Sequence, residues 1–272
     1  MGDRGEQLDS YIIKGGREGK ARLSVLARVL APTTEALFDR FEPFAGRRVV
    51  DAGCGGGDVS FHLAERVGRE GRVIAFDLDE DKLSLARQEA DGHGIATIDF
   101  RQSSVLDPWP SEAPSFAYAR FVLTHLQRPE TMLGRALASL APGGVLVVED
   151  IDFDGSFCDP PNRAYDDYAE LYVESARKRG CDPFIGRRLV RLLEDAGFAD
   201  VGFSLVQPYG RAGDMKQIAS LTFHAIADTA VKLGLATPDH VEQIKSELAD
   251  FTADPRTTTS LPRIFQAWGY KR

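Results

Sequence analysis

Cysteine is scarce in this chain: three residues, Cys54, Cys158 and Cys181, lie far apart and form no C-x-x-C pair. That excludes a disulfide framework and closely spaced zinc thiolates, and it suits a reducing compartment. Positive charge also runs short, with 33 Lys and Arg against 41 Asp and Glu and a formal net charge of −8. The summed field repels nucleic acid and anionic membrane surfaces. Nowhere do 18 apolar residues run together, and the opening MGDRGEQLDSYIIKGG lacks the apolar centre of an export signal. Both features argue against a membrane span and against secretion. H-E-x-x-H, G-x-S-x-G and a P-loop lysine are missing too, so no conventional metalloprotease, hydrolase or NTPase site stands out. The sequence predicts a soluble, cytoplasmic protein whose partner is a small molecule and not nucleic acid or membrane; a homodimer is left open.

What is present is a regular alternation. With 43% hydrophobic residues, the chain can bury one large core and carry a sizeable insertion. From residue 47 short β-rich runs alternate with helical patterns, the mark of an α/β protein on a mostly parallel sheet. Strands are predicted at about 47–52, 72–77, 96–101, 116–121 and 144–150, another near 201–206, and a last one in LPRIFQAWGYKR that returns to the sheet. Helices are predicted from Asp58, as a capping residue, over about 79–90 and over 129–140, where APGG stops the helix. Ahead of the sheet, residues 17–41 read as two helices split by Pro32. After residue 150 the rhythm breaks into an aromatic stretch at 153–184, the helix GRRLVRLLEDAGF and a helical stretch at about 214–252. The architecture is therefore an N-terminal helical cap, 1–42, and a Rossmann-like α/β domain, 43–272, with lid insertions at about 153–184 and 211–260.

The chemistry is concentrated in VVDAGCGGGDVS, residues 49–60. A strand ending in a glycine-rich turn that opens a helix lets a ligand approach the backbone. A dinucleotide would call for G-x-G-x-x-G, but counting from Gly53 and Gly55 the third position is Asp58, whose carboxylate repels a pyrophosphate. The alternative D-x-G-x-G-x-G is matched by Asp51, Gly53, Gly55 and Gly57. Asp77 follows at the end of the second strand, where a carboxylate can accept both ribose hydroxyls.

This stretch resembles motif I of the class I S-adenosylmethionine (SAM) dependent methyltransferases. FAYARFVLTHLQRPETMLGRALASLAPGGVLVVEDID is similar to the family's fourth strand, helix and fifth strand. YIIKGGREGKARLSVLARVLAPTTEALF resembles, more narrowly, bacterial small-molecule enzymes akin to the menaquinone and ubiquinone C-methyltransferases. The resemblance implies SAM as cofactor, held by Asp51, Gly53, Gly55, Asp77 with Leu78 beside it, and by Arg120 and Phe121 along the methionine portion. In the N-terminal segment it implies Tyr11, Gly16 or Arg22 at the cofactor carboxylate. After the third strand the family often places an acidic acceptor for the adenine amino group. Here Ser103 and Ser104 stand in that place, with Val105 next to them and Asp107 as an alternative partner. A serine bond is neutral, so looser adenine binding is expected.

Candidate catalytic residues are His125, Asp152 and His224. His125 is either a base near the switch-point cleft or a histidine packed beside the cofactor, the second being preferred. Asp150 and Asp152 can take a proton or cap a turn. Tyr165, Tyr168 and Tyr172 share one helix face, read first as core and second as acceptor wall. The basic residues Lys14, Arg17, Lys20, Arg22 and Arg28 are either a solvated face or a segment closing over the cofactor. The expected reaction is methyl transfer to oxygen, nitrogen or carbon of a small aromatic or hydrophobic acceptor. The alternative is a SAM-binding enzyme that performs decarboxylation, rearrangement or cyclisation without transfer.

Overall fold

The structure, a computed structural model, describes residues 16–272. Its strands are β1 (Arg48–Ala52), β2 (Arg72–Asp77), β3 (Ile98–Gln102), β4 (Phe116–Arg120), β5 (Val145–Asp152), β6 (Cys158–Asp159), β7 (Ala199–Val206), β8 (Tyr209–Gly210), β9 (Thr258–Ser260) and β10 (Arg263–Tyr270). Seven of them form one sheet in the order β3-β2-β1-β4-β5-β10-β7, and β6-β9-β8 form a small second one. The first five strands are parallel, as their alternation with helices requires. β10 runs antiparallel to both β5 and β7, in agreement with the expected returning strand. The order reverses at β1, with β2 on one side and β4 on the other, and this opens a crevice at their carboxyl ends.

The helices are α1 (Gly16–Phe38), α2 (Asp58–Val67), α3 (Glu80–Gly92), α4 (Pro129–Ser139), α5 (Arg163–Lys178), α6 (Leu189–Asp195), α7 (Asp214–Lys232) and α8 (Pro238–Ala253). Period-two alternation assigns the strand residues to two faces. Val49, Val73, Phe116, Tyr118 and Val147 pack with Leu63, Leu83 and Phe38 beneath α1, α2 and α3. Val50, Ile74, Ala117, Leu146 and Val148 pack with Leu133, Leu189 and Leu193 beneath α4 and α6. Phe38 is fully buried and meets Tyr118 edge to face with centroids 4.9 Å apart, a burial worth about 1.5–3 kcal/mol. A third core joins α1, α5, α7 and α8 through Leu26, Tyr168, Tyr172, Phe223 and Ile244. No helix among the described residues is long and apolar enough to cross a membrane.

Two local expectations are corrected. Residues 16–38 form one helix with Pro32 inside it, not two. Pro32 removes one backbone donor, but Leu26 and Leu30 on one side of it and Leu37 and Phe38 on the other are all sunk in core, so tertiary packing carries the helix through. Asp58 does not cap α2: Gly57, at φ +85°, takes the capping position without a side-chain hydrogen bond, and Asp58 is the first helical residue. Asp79 does cap α3, accepting from the Lys82 amide at 3.1 Å.

Candidate functional site

Asp51 and Ala52 end the run of buried β1 residues, and the chain then turns through Gly53, Gly55 and Gly57 at φ +70°, +55° and +85°. These angles suit only glycine at low cost. A Cβ on Gly53 would lie 2.6 Å from Val122, and one on Gly55 would lie 2.8 Å from Leu23. The turn is tied to β2: the amides of Gly53 and Cys54 donate to the Phe76 carbonyl at 2.8 and 3.0 Å. Asp77 comes next. Its Oδ2 accepts from the Gly55 amide and its Oδ1 from the Asp79 amide, each at 2.9 Å. Its carboxylate is thereby oriented and retains lone pairs toward the crevice.

Asp51 lies deeper, where burial pushes its carboxyl up to about 6 despite a 2.6 Å bond from Ser60 Oγ. Burial raises the Cys54 thiol as well, and the neighbouring carboxylates Asp51 and Asp77 raise it further, so it is not a thiolate nucleophile.

On the other side of the switch point, Phe121 has φ +55°, a left-handed conformation rare for a bulky residue. Its amide donates to the Glu149 carbonyl at 2.8 Å, which holds the strained turn in place. Beneath it a polar ladder crosses the sheet, because Arg120, Glu149, Gln266 and Ser204 stand in register on β4, β5, β10 and β7. Glu149, 1% exposed, accepts from Tyr118, from Gln266 at 2.6 Å and from Thr34 of α1 at 3.3 Å. This network fixes the far end of α1 to the sheet.

These elements enclose one cleft of about 1150 Å³, open solvent included. Asp51, Gly53, Gly55, Asp58 and Asp77 line one end of it, with Lys82 and Arg120. The other end is apolar and aromatic: Leu26 of α1, Phe153, Tyr168 and Tyr172, and Ile218 and Thr222 of α7. Phe153 stacks on Tyr172 with centroids 4.0 Å apart. Burial raises the hydroxyls of Tyr168 and Tyr172 well above the usual range. Tyr165 points elsewhere, its hydroxyl donating to the Ser260 carbonyl at 2.8 Å.

His125 lines the cleft, and burial, with Arg22 and Lys82 acting after it, drives its imidazole down to about 3. It is neutral at pH 7 and a weak base there.

Other candidates stand apart. Asp152 is on the far face of β5, because Ile151 points into the cleft and its neighbours alternate away from it. There Asp152 is held by Arg187 and, at 3.0 Å, by Arg263. His224 is exposed, two residues from the cleft-lining Thr222 and so about 200° round the helix from it; its Nδ1 lies 2.7 Å from the Ser220 carbonyl. Leu78, Ser104 and Val105 are not among the lining residues. Ser104 Oγ accepts from the Leu106 amide at 3.1 Å, and the Val105 carbonyl accepts from Trp109, so both serve the turn that follows β3. Gly16 opens α1, and Tyr11 lies outside the described residues.

Six lining residues in three segments escaped the sequence reading. Leu261 and Pro262, between β9 and β10, and Ile264 of β10 reach the cleft, and no motif marks them. Ile218 and Thr222 were hidden in a long helical stretch, where only their i, i+4 spacing betrays a shared face. Lys82 sits one turn into α3, close to the loop, and pairs with Asp79 at 3.2 Å.

A glycine turn, a strand-end carboxylate and a cleft at the switch point of a mostly parallel sheet define a nucleoside-binding protein with the Rossmann-like fold of class I methyltransferases. Residues 43–197 match the family model described as "Methyltransferase domain", and the chain belongs to that family. It is 31% identical over 186 residues to trans-aconitate 2-methyltransferase of Methylobacterium radiotolerans, covering 68% of this chain and 65% of that one. With phosphoethanolamine N-methyltransferase 1 of Triticum aestivum it shares 27% over 170 residues, 62% of this chain but only 32% of the relative. The chain thus spans about a third of that longer protein.

Among solved structures, geranyl diphosphate C-methyltransferase of Streptomyces coelicolor, in complex with Mg2+, geranyl diphosphate and S-adenosylhomocysteine, shares the fold at TM-score 0.55 and 15% identity. That match covers 93% of this chain and 84% of the other. Phosphoethanolamine N-methyltransferase 2 of Haemonchus contortus, bound to phosphomonomethylethanolamine and S-adenosylhomocysteine, does so at TM-score 0.57 and 14% identity, covering 93% and 58%.

Proposed function

We propose that the chain binds SAM along the floor of the cleft and transfers its methyl group to a small acceptor held by the aromatic end. The observation that carries this reading is the placement of Asp77 against the Gly55 amide at 2.9 Å. An oriented carboxylate beside a backbone that has no Cβ in the way supports a ribose-accepting role for Asp77. The donor set fits the cofactor: Asp51, Asp58 and Asp77 suit a ligand with an ammonium and a sulfonium, and Asp58 at the start of α2 disfavours a pyrophosphate. When bound, SAM supplies a methyl group already activated by its sulfonium.

The work left to the protein is alignment and exclusion of water. Asp77 holds the ribose hydroxyls, while Gly53, Arg120 and Phe121 border the methionine portion. Leu26, Phe153, Tyr168 and Tyr172 pack the acceptor and keep water out. His125, neutral in its buried position, orients rather than removes a proton. An apolar ring fits this end, in keeping with the resemblance of residues 11–38 to the menaquinone and ubiquinone C-methyltransferases.

The test is calorimetric titration with S-adenosylhomocysteine and with NAD, on wild type and Asp77→Ala. Binding of S-adenosylhomocysteine that weakens in the variant supports the reading, and binding of NAD overturns it. A methylated product formed with one equivalent of S-adenosylhomocysteine then separates transfer from other SAM-dependent chemistry.

A further inference from the structure

Strand β7 ends the main sheet on one side, with β10 on its inner flank and no strand on its outer flank among the described residues. β8 ends the small sheet in the same way, beyond β9. The two strands follow one another in the chain, and the ladder runs on between them through the Leu261 amide, which donates to the Pro208 carbonyl at 2.9 Å. Residues 199–210 therefore make one continuous open edge, whose outward backbone groups are a template for another strand.

Sheet edges are ordinarily blunted by lysine, by an inward charge, by a bulge or by brevity. β7 is eight residues long, has no lysine and carries one charge, Asp200. Its irregularity is confined to one end, where the register with β10 shifts between Trp268 and Tyr270 and Asp200 has φ +50°. Pro208, without an amide donor, lies beyond the other end. The stretch between, VGFSLV at 201–206, is uncharged. One of its faces is occupied from within: Gly202 lies against the Trp268 indole, where a Cβ would come within 2.4 Å, and Ser204 Oγ donates to Gln266 at 2.6 Å. On the other face Val201 packs on the core beneath α4 and α6, but Phe203 and Leu205 stand in water, 67% and 53% exposed. Phe157 and Tyr209, stacked at 5.5 Å where β8 continues the edge, are 48% and 56% exposed. These four are the large hydrophobic side chains exposed among the described residues, and all of them gather on this edge.

We propose that β7 is the contact of a two-fold homodimer, in which it pairs antiparallel with β7 of a second copy and joins the two main sheets into one. The edge is complementary to itself. A two-fold axis normal to the sheet keeps each face on its own side, so Val201, Phe203 and Leu205 of one copy stand opposite the same set of the other. Phe203 then meets Phe203 or Leu205 directly or on the diagonal, whichever residue lies on the axis. Charge agrees with this pairing. Asp200 faces Arg272 at 3.9 Å at one end of β7, and Arg187 and Arg263 share Asp152 and Asp154 at the other. Both ends are balanced, so two chains of net charge −8 bring no excess of one sign together there. The area suffices as well: at about 200 Å² for a whole aromatic side chain, the four exposed residues leave on the order of 400 Å² of apolar surface per copy, enough to mark a contact. Two copies, with the backbone edge between them, approach the roughly 1,200 Å² at which specific interfaces begin. A closed two-fold contact hides both edges at once and leaves none for further growth.

The test is sedimentation velocity over a wide concentration series on wild type, Phe203→Lys and Leu205→Lys. Both side chains are exposed, so the lysines leave the core of the single chain intact. Wild type is expected to sediment as two chains, and each variant to dissociate at least about thirtyfold more readily, the loss of one interface hot spot. Hydrogen exchange on wild type supplies the location without any variant: amides within 201–206 should slow as concentration rises through the dimer transition. A wild type that stays a single chain at every concentration overturns the proposal. So does a dimer that both lysines leave intact, or one whose β7 amides exchange no more slowly than in the single chain. Assemblies larger than two chains overturn the closed two-fold form. The inference does not rest on the methyl-transfer reading, which S-adenosylhomocysteine affinity, expected to be equal in wild type and both variants, reports separately.

Discussion

The Lys20 ammonium donates to the Gly56 carbonyl at 2.7 Å and pairs with Glu89 at 2.9 Å, so the N-terminal helix is fastened directly onto the glycine turn. The clasp joins α1, the glycine turn and α3 in one contact. Replacing Lys20 by Met removes it without changing the apolar stem. The expected outcome is faster release of S-adenosylhomocysteine, by about threefold to tenfold for one partly buried charged hydrogen bond. Stopped-flow displacement checks it, with an unchanged off-rate counting against closure by α1.

Gly55→Ala places a Cβ at φ +55°, 2.8 Å from Leu23. The backbone strain costs about 1–3 kcal/mol, and Leu23 must give way. Loss of stability in urea unfolding together with weaker S-adenosylhomocysteine binding is expected. Gly46→Ala, also at positive φ but with open space around it, should lose stability alone.

Asp77→Asn replaces one carboxylate oxygen with an NH2 donor that faces the amide of Gly55 or Asp79. Binding of S-adenosylhomocysteine should fall about tenfold to a hundredfold, the value of one charge-assisted bond with its repulsive replacement. Calorimetry that shows less than a twofold change would remove Asp77 from the ribose role.

His125, held down at about 3 from its ordinary 6.5, stays neutral across the working range. Once an acceptor is known, kcat should show no ionisation near pH 6.5, and His125→Gln should keep activity within about tenfold, short of the 10²–10⁴ expected of a general base. The buried neutral ring also favours folding above pH 6.5, a contribution lost as pH falls toward 3, because the unfolded chain takes up the proton first.

Asp150 has the opposite slope. Burial raises its carboxyl from 3.8 to about 7, so in that window the unfolded chain gives up a proton that the folded chain keeps. Its contribution is absent below 3.8 and becomes a cost of several kcal/mol by the time pH passes 7. Urea unfolding of wild type and Asp150→Asn at pH 5 and pH 8 should show the variant gaining on wild type at the higher pH. An unchanged difference would mean that Asp150 titrates as an exposed carboxylate.

Much was legible in the chain itself. The parallel strands, the glycine turn and Asp77 follow from period-two burial, positive-φ glycines and spacing along one βαβ unit, all set by neighbours close in sequence. Where the first reading failed, distant contacts had won. Pro32 is carried through α1 by cores that lie on both sides of it, and Asp58 yields the capping position to a glycine turn already tied to β2. Asp152 and His224 carry suitable chemistry, but strand alternation and helical rotation turn them away once Ile151 and Thr222 face the cleft.

Composition and local periodicity determined the fold class and the nucleoside end, because backbone geometry there is written in consecutive residues. The aromatic end of the cleft was decided by tertiary structure, which settled that Tyr168 and Tyr172 line it where their helical spacing had left core and wall both open. Its walls come from α1, β5, α5, α7 and β10, segments separated by up to about 240 residues, and only folding establishes which of their faces meet.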